Sequence, residues 1–310
     1  MMITEPGIYA LSEAQYHADP CAVPSLTRTI AGIICEKSPA HAYVAHPRLG
    51  GDAPSASSTN ADLGTAFHAA ALRGENRVAV LEFDDFKSGA AKAAREAARA
   101  AGKVPLLGKD ADRLQGMLRS FTRYRDATGA FTDGEPERTV VWQEGDVWCR
   151  CCVDWLPNDA ALSLLDLKST SVGANLDTWS RAAWSACCDI QSNFYNRGVG
   201  AIRGEVPLRG MAFVVVENTP PYAVKTFGMT PESEEIGTAR TRYAMDVWGA
   251  CMEQSTWPGY DDVVEFVEPP YRIRSRWEHL TSATGGDRAT ITAKRRELVA
   301  AVLKSRSLSA

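Results

Sequence analysis

Hydrophobic and polar positions change period along this chain, and the changes mark out its elements. Small and apolar residues at helical spacing predict a helix capped near Asn60 and running over 62–72, which puts Gly64 and His68 on one face. An Ala-rich helix over 89–101, opened by Ser88 and stopped by Gly102, carries Lys92, Arg95 and Arg99. A further helix is expected over about 111–125. After Gly134 the pattern becomes strand-like. Runs at 137–142 and 147–154, joined by Gln143-Glu144-Gly145-Asp146, read as a hairpin, and Pro157-Asn158-Asp159 turns the chain into a third antiparallel strand over 162–168. Cys149, Cys151 and Val153 are expected to face the core. One long helix over about 176–198 follows, then the continuous apolar run 211–216, which suits a strand covered on both faces, and a partner strand near 222–227. The remainder reads as a helix near 231–253, a Pro-rich passage over 257–270 and a basic helix near 287–305. Toward the start, Ser25 is expected to cap a short helix over 27–31, Asp19-Pro20 and Ser38-Pro39 mark turns, and the Gly/Ser/Ala-rich stretch 50–59 reads as an exposed loop.

The fold class is therefore α/β, a central mixed sheet flanked by helices. Its expected parts are an N-terminal helical and loop segment over 1–60, a core over 61–230 and a C-terminal helical extension over 231–310. With 310 residues, 45% of them hydrophobic and 23% charged, the chain can bury a real core. No apolar run approaches the roughly 18 to 20 residues that cross a bilayer, and the first twenty positions lack a basic and then apolar leader, so neither a membrane protein nor a Sec-secreted one is expected. A net charge of -4 argues against holding nucleic acid by bulk positive charge but leaves room for a local basic groove. The eight cysteines include the adjacent pairs Cys151-Cys152 and Cys187-Cys188, poor spacing for a disulfide framework, and read as reduced and intracellular. No two CxxC motifs and no Cys/His array point to structural zinc.

Candidate chemistry concentrates in 154–168. On a strand, Asp166 and Lys168 share a face while Leu165 and Leu167 point the other way. Asp154 ends the preceding strand, and the short turn allows its carboxylate to approach that of Asp166. Two such carboxylates repel, and a divalent cation with oxygen ligands is the usual remedy. A lysine two residues on can position or polarise a water. That layout suits metal-assisted phosphodiester hydrolysis; the alternative is an exposed hairpin with an Asp/Lys pair on a solvated face. Glu137, at the start of the first strand, could add a ligand or be a surface carboxylate. Trp184, Cys188, Gln191 and Tyr195 fall on one face of the long helix, where Gln191 is out of place in a purely apolar stripe. A lone histidine such as His68 is more often a packed residue than a ligand. His17, His41, His46 and His279 read as turn or surface residues, and Arg95 and Arg99 as a solvated face or a DNA contact.

Taken in order, Gly64-Thr65-Ala66-Phe67-His68, Glu137, Asp154, Asp166-Leu167-Lys168 and Gln191-Ser192-Asn193-Phe194-Tyr195 resemble the motif series of the PD-(D/E)xK nuclease superfamily, in its RecB-like branch. Within it the chain is most similar to the RecE-type phage exodeoxyribonucleases, also called exonuclease VIII. Tyr16-His17-Ala18-Asp19-Pro20, the stretch 36–41 and the stretch 93–103 share the likeness, which covers about 10–230.

The resemblance implies that His68, Glu137, Asp154 and Asp166 surround one or two Mg2+ or Mn2+ ions, that Lys168 assists the attacking water, and that Gln191 and Tyr195 shape the DNA-facing wall. Cys152 stands where the family often has Arg, so that contact is missing or supplied by Arg150. Arg95, Arg99, Arg272, Arg274 and Arg276 are further candidates for DNA phosphates. The implied activity is 5′ to 3′ digestion of linear double-stranded DNA, leaving 3′ tails for a single-strand annealing protein. The implied setting is a homo-oligomeric ring, phage or prophage encoded, in a bacterial cytoplasm. An endonuclease or flap nuclease of the same fold, and a DNA-binding or assembly module without turnover, are the alternatives.

Overall fold

Strand β1 (Gly7–Tyr9) and helices α1 (Glu13–His17), α2 (Arg28–Glu36) and α3 (Pro39–Ala45) lead to α4 (Thr59–Arg73) in the computed structural model. There follow β2 (Val78–Leu81), α5 (Gly89–Ala100), β3 (Val104–Leu107) and α6 (Gly108–Thr128). Next come β4 (Gly134–Glu144), β5 (Val147–Pro157), β6 (Leu164–Thr170), α7 (Leu176–Ser185) and α8 (Cys188–Arg203). The chain closes with β7 (Met211–Glu217), β8 (Val224–Gly228), α9 (Pro231–Gln254) and α10 (Tyr271–Ala283). The structure describes residues 2–51, 59–204, 210–264 and 266–283. The expected helix at 287–305 and most of the loop at 50–59 lie outside them.

The six-stranded sheet has the order β1-β4-β5-β6-β7-β8. Every neighbouring pair is antiparallel except β6 and β7, which run parallel because α7 and α8 carry the chain back across a face between them. The antiparallel trio forms as its pattern predicts, with longer strands, and β2 and β3 pair separately in parallel. Alternation along β7 sorts its side chains into two cores: Phe213 and Val215 face α8 and α9, Val214 and Val216 face α4 and α6. Cys149, Cys151 and Val153 are fully buried, as their alternation requires. The close approach of α8 to β4 depends on Gly198, where a Cβ would come within 2.6 Å of the Trp142 ring.

Two expectations are corrected. The long helix after 176 is two helices: Cys187 takes φ 52°, ending α7 and re-aiming the chain into α8. Trp184 therefore leaves the face shared by Cys188, Gln191 and Tyr195 and is 41% exposed, while those three are buried. Thr27, not Ser25, caps α2 through its side-chain oxygen; Ser25 is engaged by Asp19 and Arg150 instead. Met1–Tyr260 is one unit and Asp261–Ala310 another, because β1 adds an edge to the main sheet and α9 packs on α8 and α2. All eight cysteines are free thiols. Among the described residues no helix is long and apolar enough to cross a membrane.

Candidate active site

Adjacent strands bring the acidic pair together. Asp154 lies near the end of β5, and its Oδ2 accepts the backbone N–H of Leu167 on β6 at 2.8 Å. That bond sets the Asp154 carboxylate beside the strand that carries Asp166 and Lys168. Leu167, between them, is buried in the opposite core. Asp166 is 1% exposed. Gln191 Nε2 donates to its Oδ1 from α8, and Lys168 Nζ lies 2.5 Å from its Oδ2. His68, on α4, places Nδ1 3.7 Å from Asp154 Oδ2.

Glu137 takes φ 47°, uncommon for a non-glycine residue inside a strand. Its Oε2 pairs with Arg73 Nη1 at 2.9 Å. Tyr195 is buried, within electrostatic reach of Tyr16, Arg28 and Asp166. A cleft of about 550 Å3 is lined by Arg28, His68, Arg73, Glu137, Cys152 and Asp154, and not by Asp166, Lys168, Gln191 or Tyr195. A larger cavity of about 930 Å3, near Glu144, Arg197 and Trp248, holds none of them.

Electrostatics follow from this crowding. Burial, then the Asp166 charge, push the Asp154 carboxyl up to about 7 against the pull of Lys168. Burial and then Lys168 lower His68, so its imidazole is neutral near pH 7 and offers a lone pair. Burial also raises Glu137, with Arg73 opposing. Three carboxylates and one neutral imidazole form the kind of donor set that Mg2+ or Mn2+ takes. Among the described residues no three His, Cys, Asp or Glu side chains form a ready-made cage, whereas the buried Gln191 Oε1 has no protein partner. By donor chemistry the residues fit a hard divalent ion held first by Asp154 and Asp166.

Several expected DNA contacts are committed elsewhere. Arg150 is 3% exposed and bonds Asp19, Ser25 and the Tyr16 carbonyl, so it does not replace the arginine absent at Cys152. Arg95 and Arg99 both reach Asp62, at 2.8 and 3.0 Å, tying α5 to the first turn of α4. Arg272, Arg274 and Arg276 lie on α10 in the second unit, where helical spacing of two does not put all three on one face; Arg274 pairs with Glu268 at 2.8 Å. His46 is a buried partner of Asp19 rather than a surface residue, and the side chain of His279 is outside the described residues.

Arg28, Tyr16 and His17 also line the cleft; Tyr16 and His17 belong to the N-terminal stretch that shares the family likeness, whereas Arg28 lies outside it. Arg28 Nη1 donates to the Ala186 carbonyl at 2.9 Å, and the Asp166 carboxylate is among its electrostatic neighbours. A basic residue opening a helix runs against the helix dipole, and that is the sequence signal by which Arg28 could have been found.

Comparison with known proteins adds to this geometry. No curated protein matches the chain. A crystal structure of a "Putative exonuclease" from Eubacterium rectale is similar in fold, with 10% identity and a TM-score of 0.53, over 84% of this chain and 96% of that one. At that identity the likeness concerns the fold alone. A family model described as a PDDEXK-like domain of unknown function, DUF3799, matches residues 35–269 and spans β2 to β8 with Asp154, Asp166 and Lys168. The chain is a member of this PDDEXK-like family.

Proposed function

We propose that this chain is a metal-dependent DNA nuclease, and more narrowly a RecE-type exodeoxyribonuclease that digests linear duplex 5′ to 3′ and leaves 3′ single-stranded tails. One observation carries the nuclease reading. Asp154, Asp166 and Lys168 stand together on adjacent strands, with Lys168 Nζ 2.5 Å from Asp166 and Asp154 bonded to the amide between them.

Mg2+ or Mn2+, when bound, supplies charge neutralisation at the phosphate and an activated water. The chain does the rest. Asp154 and Asp166 would hold the ion, with His68 as a neutral donor nearby and Glu137 at the margin under the grip of Arg73. Lys168 is placed to orient the attacking water and to meet charge that develops on the phosphate. Gln191 holds Asp166 in position, and Tyr195 backs that wall. Arg28 offers the cleft a guanidinium bonded to a backbone carbonyl rather than to a carboxylate.

Polarity, preference for DNA ends, hand-over to an annealing protein, a homo-oligomeric ring and a phage or prophage origin in a bacterial cytoplasm rest on the ordered motif series. End-labelled linear duplex and covalently closed circles, incubated with and without Mg2+, test the reading. Linear DNA should be degraded only with Mg2+, with early release of a 5′ label, persistence of a 3′ label and sparing of circles. Rapid nicking of circles would favour an endonuclease. Binding with no cleavage under any metal would favour a module without turnover.

A further inference from the structure

We infer that Lys168 is a resident counter-ion of Asp166 and competes with the divalent cation for that carboxylate. This rests on the reading of Asp154 and Asp166 as the metal-holding pair. Asp166 is 1% exposed; Gln191 donates a hydrogen bond to its Oδ1, and Lys168 Nζ stands 2.5 Å from its Oδ2 as an ion pair without hydrogen-bond geometry. A carboxylate this deeply buried is costly unless its charge is matched. The Gln191 amide is neutral and cannot match it. Among the described residues Lys168 is the cation within ion-pair distance of Asp166.

The two partners differ in freedom. Gln191 is 1% exposed, and turning its amide would set Oε1 against the carboxylate, so it stays on Asp166. The Lys168 side chain is 23% exposed and ends a flexible four-carbon stem, so its ammonium can swing toward the cleft. A divalent ion arriving at Asp166 meets an occupied oxygen and must displace the ammonium. The displaced ammonium then faces the space where a phosphate would lie. Metal uptake is thereby weakened in the resting chain, and the lysine becomes available for chemistry only once the ion has taken its place.

Free Mn2+ measured by electron paramagnetic resonance, with melting curves of the full chain with and without Mn2+, tests this apart from any cleavage assay. Lys168→Met should bind Mn2+ roughly tenfold more tightly than wild type, the size of an ordinary coupling between two sites. It should also melt earlier without the ion and gain more on saturation. Lys168→Arg, which keeps the charge, should stay near wild type, and Asp166→Asn should lose the uptake. Lys168→Gln carries the same expectation as Lys168→Met if the latter does not fold. Unchanged or weaker affinity in the neutral variants, with normal uptake by wild type, overturns the competition alone. No uptake by any of the proteins overturns the metal reading as well.

Discussion

Arg150 Nη1 sits 2.8 Å from Asp19 Oδ1, with both side chains almost wholly removed from solvent. Ser25, His46 and Arg48, whose Nη1 lies 3.8 Å from Oδ2, complete the shell around Asp19, and the buried pair with Arg150 pins the segment between α1 and α2 to β5. Removing Asp19 leaves the buried Arg150 charge unmatched, and removing Arg150 leaves Asp19 the more distant, partly exposed Arg48 and His46. Arg150→Met or Asp19→Asn is expected to cost about 3 to 5 kcal/mol in urea unfolding, and a loss below about 1 kcal/mol, the scale of an exposed pair, would show that water reaches it.

The same pair sets an acid limit. Burial pushes the Asp19 carboxyl up, but bonds from His46 and Ser25 and the Arg150 charge outweigh it and hold the carboxyl below its usual range. A group depressed in this way stabilises the fold fully above its unfolded value, about 4, and loses that contribution as pH falls through the folded value. Wild-type melting temperature should drop on acidification below about pH 4. Asp19→Asn, already less stable, should show a shallower drop over the same window.

For the acidic centre, Asp166→Asn or Lys168→Ala should lower the cleavage rate by about 10² to 10⁴-fold while circular dichroism stays that of wild type. Either variant cleaving at the wild-type rate would remove these residues from the chemistry.

The His68 side chain lines the cleft and is 29% exposed. The expectation for His68→Ala is a lower rate or a higher Mg2+ requirement with a nearly unchanged melting temperature. A variant that melts early and retains activity in proportion to its folded fraction would make His68 a packing residue.

Arginines in the cleft and on α5 should separate in a salt titration. Arg28→Ala is expected to weaken DNA binding and to reduce the salt slope by about one phosphate contact. Arg95→Ala with Arg99→Ala should lower the melting temperature by releasing Asp62 and leave the salt slope in place. The reverse pattern would move the DNA path onto α5.

Much of this arrangement was legible in the pattern because the signals are local. Alternation in β5 predicted which cysteines turn inward, and the spacing of Asp154, Asp166 and Lys168 predicted their meeting. The break between α7 and α8 was not legible: Ser185-Ala186-Cys187-Cys188 contains neither Gly nor Pro, and the turn is imposed by packing, with Trp179 stacked on Phe227 on one side and Phe194 against Trp142 on the other. Alternation also says on which face Arg150 lies but not that Asp19 and Ser25 fold over that face. Arg28 falls between the stretches 16–20 and 36–41 without belonging to either, and reaches the cleft through the docking of α2 on α8.

The bond from the Leu167 amide to Asp154 has a consequence for how the molecule is born. Strands β5 and β6 share a single ladder pairing, Trp155 with Leu165, and the Asp154 carboxylate extends that pairing beyond the backbone. A slip of one residue would turn Asp166 and Lys168 into the apolar layer and carry the amide away from its acceptor. The grouping of Asp154, Asp166 and Lys168 thus exists only in the correct register, so on the proposed reading a misthreaded copy would lack the site.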